Sequence, residues 1–136
     1  MRKGFTLIEI MIVIMIIASL AAIVVPRLSG RSDQAKISIA EADINSNLSL
    51  ALKLYQLDNG GFPTTEQGLD ALLVKPSGNP VPVNWKEPYL EKKPVDPWGN
   101  QYQYKSPGAH NTSTYDLSSM GKDGVEGNAD DIKNWQ

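Results

Sequence analysis

The last part of the chain gathers carboxylate side chains in a glycine-rich stretch. Residues 120–131 interleave three glycines with four acidic residues, which are Asp123, Glu126, Asp130 and Asp131. Hard oxygen ligands in a flexible loop suit calcium, which accepts roughly six to eight of them. The spacing is not that of an EF-hand loop, which needs acids at alternate positions and a closing glutamate. From the residues alone, the stretch is either a calcium site or a solvated acidic turn.

No other set of residues points to catalysis or to a transition-metal centre. The chain has no cysteine and a single histidine, His110, which reads as a solvated turn residue rather than a ligand. It also lacks a G-x-S-x-G nucleophile motif. With 13 Lys and Arg against 15 Asp and Glu, the net charge is -2 and offers no basic field for a nucleic acid. We therefore expect neither an enzyme nor a nucleic-acid-binding protein.

One carboxylate stands inside the apolar N-terminal segment. Ile10–Val25 is a run of sixteen uncharged residues, and Glu9 directly precedes it. This run covers about 24 Å as a helix, whereas Phe5–Val25 covers about 32 Å and can span a ~30 Å hydrocarbon core. A carboxylate in a membrane is costly and is normally retained only with a partner. Glu9 therefore favours a functional segment that stays on the protein.

Two simpler interpretations of this segment exist. It resembles a cleavable secretory signal, with small residues at Ser19–Ala21, or a single-span anchor whose Glu9 reaches the interface. In each case Arg2 and Lys3 precede the apolar run. The positive-inside rule then leaves the N-terminus in the cytoplasm and places the rest of the chain across the membrane.

The junction Arg2–Glu9, R-K-G-F-T-L-I-E, resembles the class III signal of type IV pilins and pseudopilins. In that superfamily a prepilin peptidase cuts after the glycine and methylates the new amino group. The resemblance implies cleavage between Gly4 and Phe5 and N-methylation of Phe5. It also implies that Glu9 pairs with the amino group of Phe5 in a neighbouring subunit and so sets the register of a helical filament.

Two further motifs narrow the resemblance. P-T-T-E-Q-G-L at Pro63–Leu69 and D-P-W-G-N at Asp96–Asn100 are similar to segments of the major pseudopilin family of type II secretion systems, and the likeness covers nearly the whole chain. It implies an inner-membrane, single-pass structural subunit that polymerises into the periplasmic pseudopilus and helps drive exoproteins across the outer membrane. The implied partners are other copies of the chain, prepilin peptidase, minor pseudopilins and the inner-membrane platform. A type IV pilin of a surface fibre is the alternative, but the cysteine pair of many pilins is missing.

The same resemblance bears on the acidic stretch. Members of the family hold a calcium ion between their C-terminal loops. Matched residue by residue, the side-chain ligands would be Asp123, Asp130 and Asp131. Main-chain carbonyls near Met120 and Val125 would complete the shell.

The elements that position these residues follow from the hydrophobic pattern. Beyond the membrane segment, apolar residues recur every three or four positions and predict that one helix runs from near Phe5 to Asp58, before Asn59-Gly60-Gly61. Thr64 or Thr65 caps a predicted short helix, with Glu66 or Gln67 in its first turn. Short antiparallel strands are expected at 101–105 and 113–118. The expected fold is α+β and pilin-like, with a leader at 1–4, a membrane and assembly helix at 5–29, and a periplasmic domain at 30–136.

Overall fold

The computed structural model describes residues 4–86 and 88–135, without the side chains of residues 26–29. Residues 1–3 of the predicted leader therefore lie outside the described residues. The chain divides into two compact units, Met1–Ala35 and Lys36–Gln136. The segmentation into 5–29 and 30–136 rests on the membrane argument and stays a prediction.

Helix α1 spans Leu7–Ala42. The large apolar side chains described between Phe5 and Val25 are all exposed, with exposed fractions from 44% for Ile10 to 85% for Phe5. Within residues 4–86 and 88–135, one helix is long and apolar enough to cross a membrane, and it begins at Leu7. An apolar surface all round a helix, with nothing of its own chain packed on it, is typical of a segment covered by lipid or by other helices.

A π-helical turn at Asp43–Asn47 separates α1 from α2, which spans Leu48–Asn59. The spacing of apolar residues predicted a continuous α-helix, so this turn is a correction. The hydroxyl of Tyr102 donates to Asp43 Oδ2 at 2.8 Å, and Asn47 Nδ2 donates to Asp43 Oδ1 at 2.7 Å. These bonds stabilise the wider turn while Ile44 stays buried.

Helix α2 ends at Asn59, one residue after the predicted end at Asp58. Gly60 adopts a left-handed conformation, with φ of 81°, and its N–H donates to the carbonyl of Gln56 at 2.8 Å. Glycine is favoured there because it carries no Cβ to oppose a positive φ.

The predicted capping pair after the long helix is present, but the element it begins is different. Thr64 Oγ1 accepts from the N–H of Gln67 at 3.2 Å, and Gln67 Oε1 accepts from the N–H of Thr64 at 3.1 Å. Instead of an α-helix, a 3-10 turn follows at Leu69–Leu72. The reason is Gly68, whose φ of 59° and ψ of -163° interrupt the helical path.

A three-stranded antiparallel sheet has the order β1-β2-β3, with β1 at Gln103–Lys105, β2 at Asp116–Ser119 and β3 at Ile132–Lys133. The two predicted strands are present but begin two and three residues later than expected, and β2 ends one residue later, at Ser119. Strand β3 was not predicted. In the register, Tyr104 lies opposite Leu117 and Ser119 lies opposite Ile132.

The core of the second unit forms where α2, the 3-10 turn and the sheet meet. Leu52, Leu72 and Leu117 are fully buried. A loop with prolines at 76, 80 and 82 is attached to this core, because Trp85 Nε1 donates to the carbonyl of Ala71 at 3.0 Å. The α+β fold class is confirmed: one long N-terminal helical segment precedes a small antiparallel sheet.

Candidate functional site

The N-terminal end of α1 holds the first group of predicted site residues. Glu9 Oε2 accepts from the N–H of Thr6 at 2.7 Å and from its hydroxyl at 2.9 Å, and Thr6 Oγ1 accepts from the N–H of Glu9 at 3.3 Å. This reciprocal arrangement is a capping box, which satisfies N–H groups that the first helical turn leaves unpaired. Glu9 therefore stabilises the start of the helix within its own chain.

Sequence reasoning missed the role of Thr6, although the pattern T-x-x-E is visible at residues 6–9. Gly4 and Phe5 precede the helix and are exposed, and an ideal Cβ on Gly4 would meet nothing within 4 Å. The bond between Gly4 and Phe5 is thus in an open, non-helical segment. Cleavage there, and pairing of Glu9 with another subunit, stay predictions.

The acidic loop connects β2 to β3. Because Ser119 and Ile132 lie opposite each other in the sheet, the loop of residues 120–131 begins and ends beside the same pair of strand residues. This closure brings the two ends of the loop together, although they are far apart in sequence. Met120, half-buried, opens the loop, and the exposed Val125 lies within it.

The three predicted aspartate ligands accept hydrogen bonds within the loop. Asp123 Oδ1 accepts from the N–H of Val125 at 2.8 Å, and Asp130 Oδ2 accepts from the N–H of Asp123 at 3.2 Å. Asp131 Oδ2 accepts from the N–H of Gly127 at 2.7 Å. Within the described parts of the chain, no three His, Cys, Asp or Glu side chains form a group that could hold a metal ion. The loop thus closes on itself without gathering the three carboxylates at one point.

Asp131 differs from the other two aspartates in its burial. Its side chain is only 3% exposed, and Lys133 Nζ lies 3.7 Å from Oδ2. Its second oxygen, Oδ1, is buried without a hydrogen-bond partner. An ionised oxygen in this state is costly unless a donor or a cation reaches it. Among the described residues of the loop, Asp131 Oδ1 is thus a polar atom that a bound cation would satisfy.

Sequence reasoning also missed Asn128 as part of the loop. Asn128 Nδ2 donates to Asp123 Oδ2 at 2.7 Å, and its Oδ1 accepts from the N–H of Asp130 at 3.2 Å. Asparagine often closes such a turn by bonding a main-chain N–H two residues on. The sequence offers this signal in the pattern N-x-D at 128–130.

A second cluster surrounds Asp116, the first residue of β2. The buried Asp116 carboxylate accepts main-chain N–H bonds from Ala109, His110 and Asn111 at 2.7–2.9 Å, and His110 Nδ1 lies 3.0 Å from its Oδ2. Burial alone would raise the pKa of Asp116, but the bonds from residues 109–111, led by those of His110, hold the pKa of this carboxyl below its usual value. The group is therefore a structural anion that organises the preceding turn.

Comparisons with known proteins divide the chain into two parts. Residues 27–135 match the family model "Type II secretion system (T2SS), protein G". Residues 1–25 match the model "Prokaryotic N-terminal methylation motif". The second match covers Gly4, Phe5 and Glu9.

Individual relatives agree with the family models. A Pseudomonas aeruginosa protein named "Type II secretion system core protein G" is 54% identical over 138 residues, which covers 98% of this chain and 95% of the relative. A protein of the same name from Escherichia coli strain K12 is 48% identical over 135 residues, covering 98% and 91%. The crystal structure of the major pseudopilin of the type 2 secretion system of enterohaemorrhagic Escherichia coli has a TM-score of 0.71 at 42% identity, covering 79% of this chain and 89% of that one.

A long apolar N-terminal helix joined to a small α+β domain, with a methylation motif at the start, defines a pilin-like structural subunit. The chain belongs to the type II secretion system protein G family. It is a pseudopilin and not an enzyme, and the comparisons do not favour the alternative of a type IV pilin.

Proposed function

We propose that this chain is cut between Gly4 and Phe5, methylated on Phe5, and assembled through α1 into the periplasmic pseudopilus of a type II secretion system. The pseudopilus then grows from the inner membrane and helps move folded exoproteins through the outer membrane. The observation that carries this proposal is the unpartnered apolar surface of α1 between Phe5 and Val25. A surface of this kind is stable in lipid as a single chain and in a filament as a bundle of helices.

The chemistry of Glu9 supports a register function in that bundle. Cutting after Gly4 would create a cationic amino group at Phe5, next to the same apolar surface. Where lipid or helices exclude water, each charge lowers the free-energy cost of burying the other. Thr6 already supplies two hydrogen bonds to Glu9 Oε2, so the carboxylate is held in one orientation before a neighbour arrives.

Processing and assembly require further partners. The proposed ones are prepilin peptidase, other copies of this chain, minor pseudopilins and the inner-membrane platform of the secretion system. The proposed location is the inner membrane as a single-pass subunit, with the domain of residues 30–136 in the periplasm.

We further propose that the loop of residues 120–131 binds calcium. The donor set fits a hard cation, because it consists of carboxylate and carbonyl oxygens, and the buried Oδ1 of Asp131 lacks a partner. Asp123, Asp130 and Asp131 would hold the ion with main-chain carbonyls near Met120 and Val125. When bound, the ion would neutralise like charges that lie close together in sequence. Main-chain N–H groups of the loop donate to these three carboxylates, and these hydrogen bonds stabilise the loop that joins β2 to β3.

Intact-mass and N-terminal analysis of membrane-extracted protein tests the core of the proposal. Loss of Met1–Gly4 together with one added methyl group is expected. Loss of about twenty residues would instead mean an ordinary signal peptide and would overturn the assembly model. An uncut, unmethylated chain in cells that contain the peptidase would also contradict it.

A further inference from the structure

A buried carboxylate outside the acidic loop is bonded to the last residue of β2, directly before the loop. Asp96 is 3% exposed, and its Oδ1 accepts from the N–H groups of Trp98 at 3.1 Å and Asn100 at 2.8 Å. Its Oδ2 accepts from the hydroxyl of Ser119 at 2.6 Å. Asp96 thus ties the D-P-W-G-N turn to the last residue of β2.

Ser119 passes this connection on to the loop. Its side chain is fully buried, and its Oγ accepts from the N–H of Gly121 at 3.1 Å while its hydroxyl hydrogen serves Asp96. The hydrogen bond from the Gly121 N–H to Ser119 Oγ joins the two residues on either side of Met120. The Ser119 side chain therefore fixes the orientation of the main chain at Met120.

Gly121 brings the other end of the loop against this turn. It has a φ of 65°, and an ideal Cβ there would lie 2.7 Å from Asp130 Oδ2 and closer still to the Asp130 carbonyl oxygen. Since real Cβ atoms do not approach so closely, only glycine lets Asp130 pack on the turn. The carbonyl of Met120 and the carboxylate of Asp130 are thus arranged by contacts that involve no ion.

We propose that Asp96 and Ser119 are positioning residues for the calcium site. They fix the turn of residues 119–121, which contains Met120 and against which Asp130 packs. They do not themselves touch the ion. The inference rests on the proposed calcium function. A preset turn raises affinity because less ordering is left to the binding step, and residues behind metal ligands commonly change affinity about 10- to 100-fold when they are removed.

Ser118 provides a matched control on the same strand. It is also buried, at 5% exposed, but the hydroxyl that bonds Asp96 and Gly121 is that of Ser119. Ser118→Ala removes the same atom one position earlier, without touching Asp96 or Gly121. Any effect of Ser119→Ala that Ser118→Ala does not share comes from the connection to Asp96 and the loop.

The test is a calorimetric calcium titration of the full chain in detergent, for wild type, Ser119→Ala, Asp96→Asn and Ser118→Ala. Ser119→Ala and Asp96→Asn should each weaken Kd at least about tenfold, whereas Ser118→Ala should match wild type. The double variant should be no weaker than the worse single one, because both act through one chain of bonds. Ser119→Thr, which keeps the hydroxyl, should recover most of the affinity.

A merely structural role for the pair gives a different result. It lowers the melting temperature equally with calcium and with chelator and leaves Kd unchanged, which overturns the inference. If Ser119→Ala does not fold, the Kd of Asp96→Asn decides. A wild-type chain that binds no calcium refutes the proposed calcium function itself. A wild-type chain that binds, together with a Ser119→Ala variant that binds equally well, refutes the positioning role alone.

Discussion

The indole ring of Trp135 lies flat on the imidazole ring of His110, with ring centroids 4.5 Å apart and planes 9° apart. His110 in turn contacts Asp116 through Nδ1. Trp135 is therefore fastened to the turn before β2. His110 itself is exposed, as expected of a turn residue, and its ring still makes both contacts. Together with the pairing of Ile132 with Ser119, this stack holds the segment beyond the acidic loop.

Replacing Gly4 with leucine should block cleavage between Gly4 and Phe5. Gly4 lies in an open segment of the free chain, with nothing within 4 Å of an ideal Cβ. The obstruction must therefore come from the peptidase, where a large side chain would occupy space at the scissile bond. We expect unprocessed protein held in the inner membrane, seen by intact-mass analysis. Normal processing of Gly4→Leu would contradict the assigned cleavage site.

Replacing Glu9 should separate its capping role from its charge. Glu9→Ala removes both, while Glu9→Gln keeps an oxygen that can accept from Thr6 but carries no charge. If the charge pairs with the amino group of Phe5 in a neighbouring subunit, both variants should insert normally and give low filament yield. Cellular protein level and sheared-filament yield are the two measurements. Wild-type yield from Glu9→Gln would show that only helix capping matters.

Calcium should stabilise the wild-type chain against heat. At a calcium concentration about a hundredfold above Kd, the expected gain in unfolding free energy is about 2.7 kcal/mol. Asp131→Ala should abolish the gain, since it removes the buried oxygen that lacks a partner. Glu126→Ala is the control, because it removes an exposed acid from the same loop that is not a predicted ligand. Equal melting of the wild type with calcium and with chelator would leave the loop a solvated acidic turn.

The stability of the second unit should fall at acidic pH through Asp116. Its pKa is lowered in the folded chain, so its stabilising contribution is complete above the pKa of the unfolded state, about 3.9, and is lost as pH falls through the lower folded value. Asp116→Asn should cost about 1–3 kcal/mol at neutral pH, because part of a buried set of bonds is lost. It should also weaken the fall of the unfolding free energy with decreasing pH below about pH 4.

Asp70→Asn is the matched control for that experiment. Asp70 is 66% exposed and pairs with Lys93 at 3.3 Å, an exposed ion pair of the kind that contributes about 0–1 kcal/mol. Its replacement should leave this pH dependence nearly unchanged. Denaturant unfolding from neutral pH to below pH 4 measures both variants, and equal behaviour of the two would refute the special role of Asp116.

The family and much of the fold could be predicted from motifs in the sequence. The sixteen-residue apolar run, the one-sided pattern beyond it and the stop at Asn59-Gly60 determined the long helix, because these signals are local and the helix needs only neighbours three and four positions away. The capping pair of Thr64 and Gln67 was visible for the same reason. The candidate ligands could be named from residue type and family likeness.

Only the tertiary structure decided how those local pieces are joined. Tyr102 stabilises the π-helical turn through Asp43, 59 residues away. The two-residue strand β3 exists because Ile132 meets Ser119 across the sheet. Likewise, Asp96 reaches the acidic loop through Ser119, 23 residues away in sequence. Side-chain partners so distant along the chain leave no periodic pattern, because their pairing depends on packing that exists only after the chain has folded.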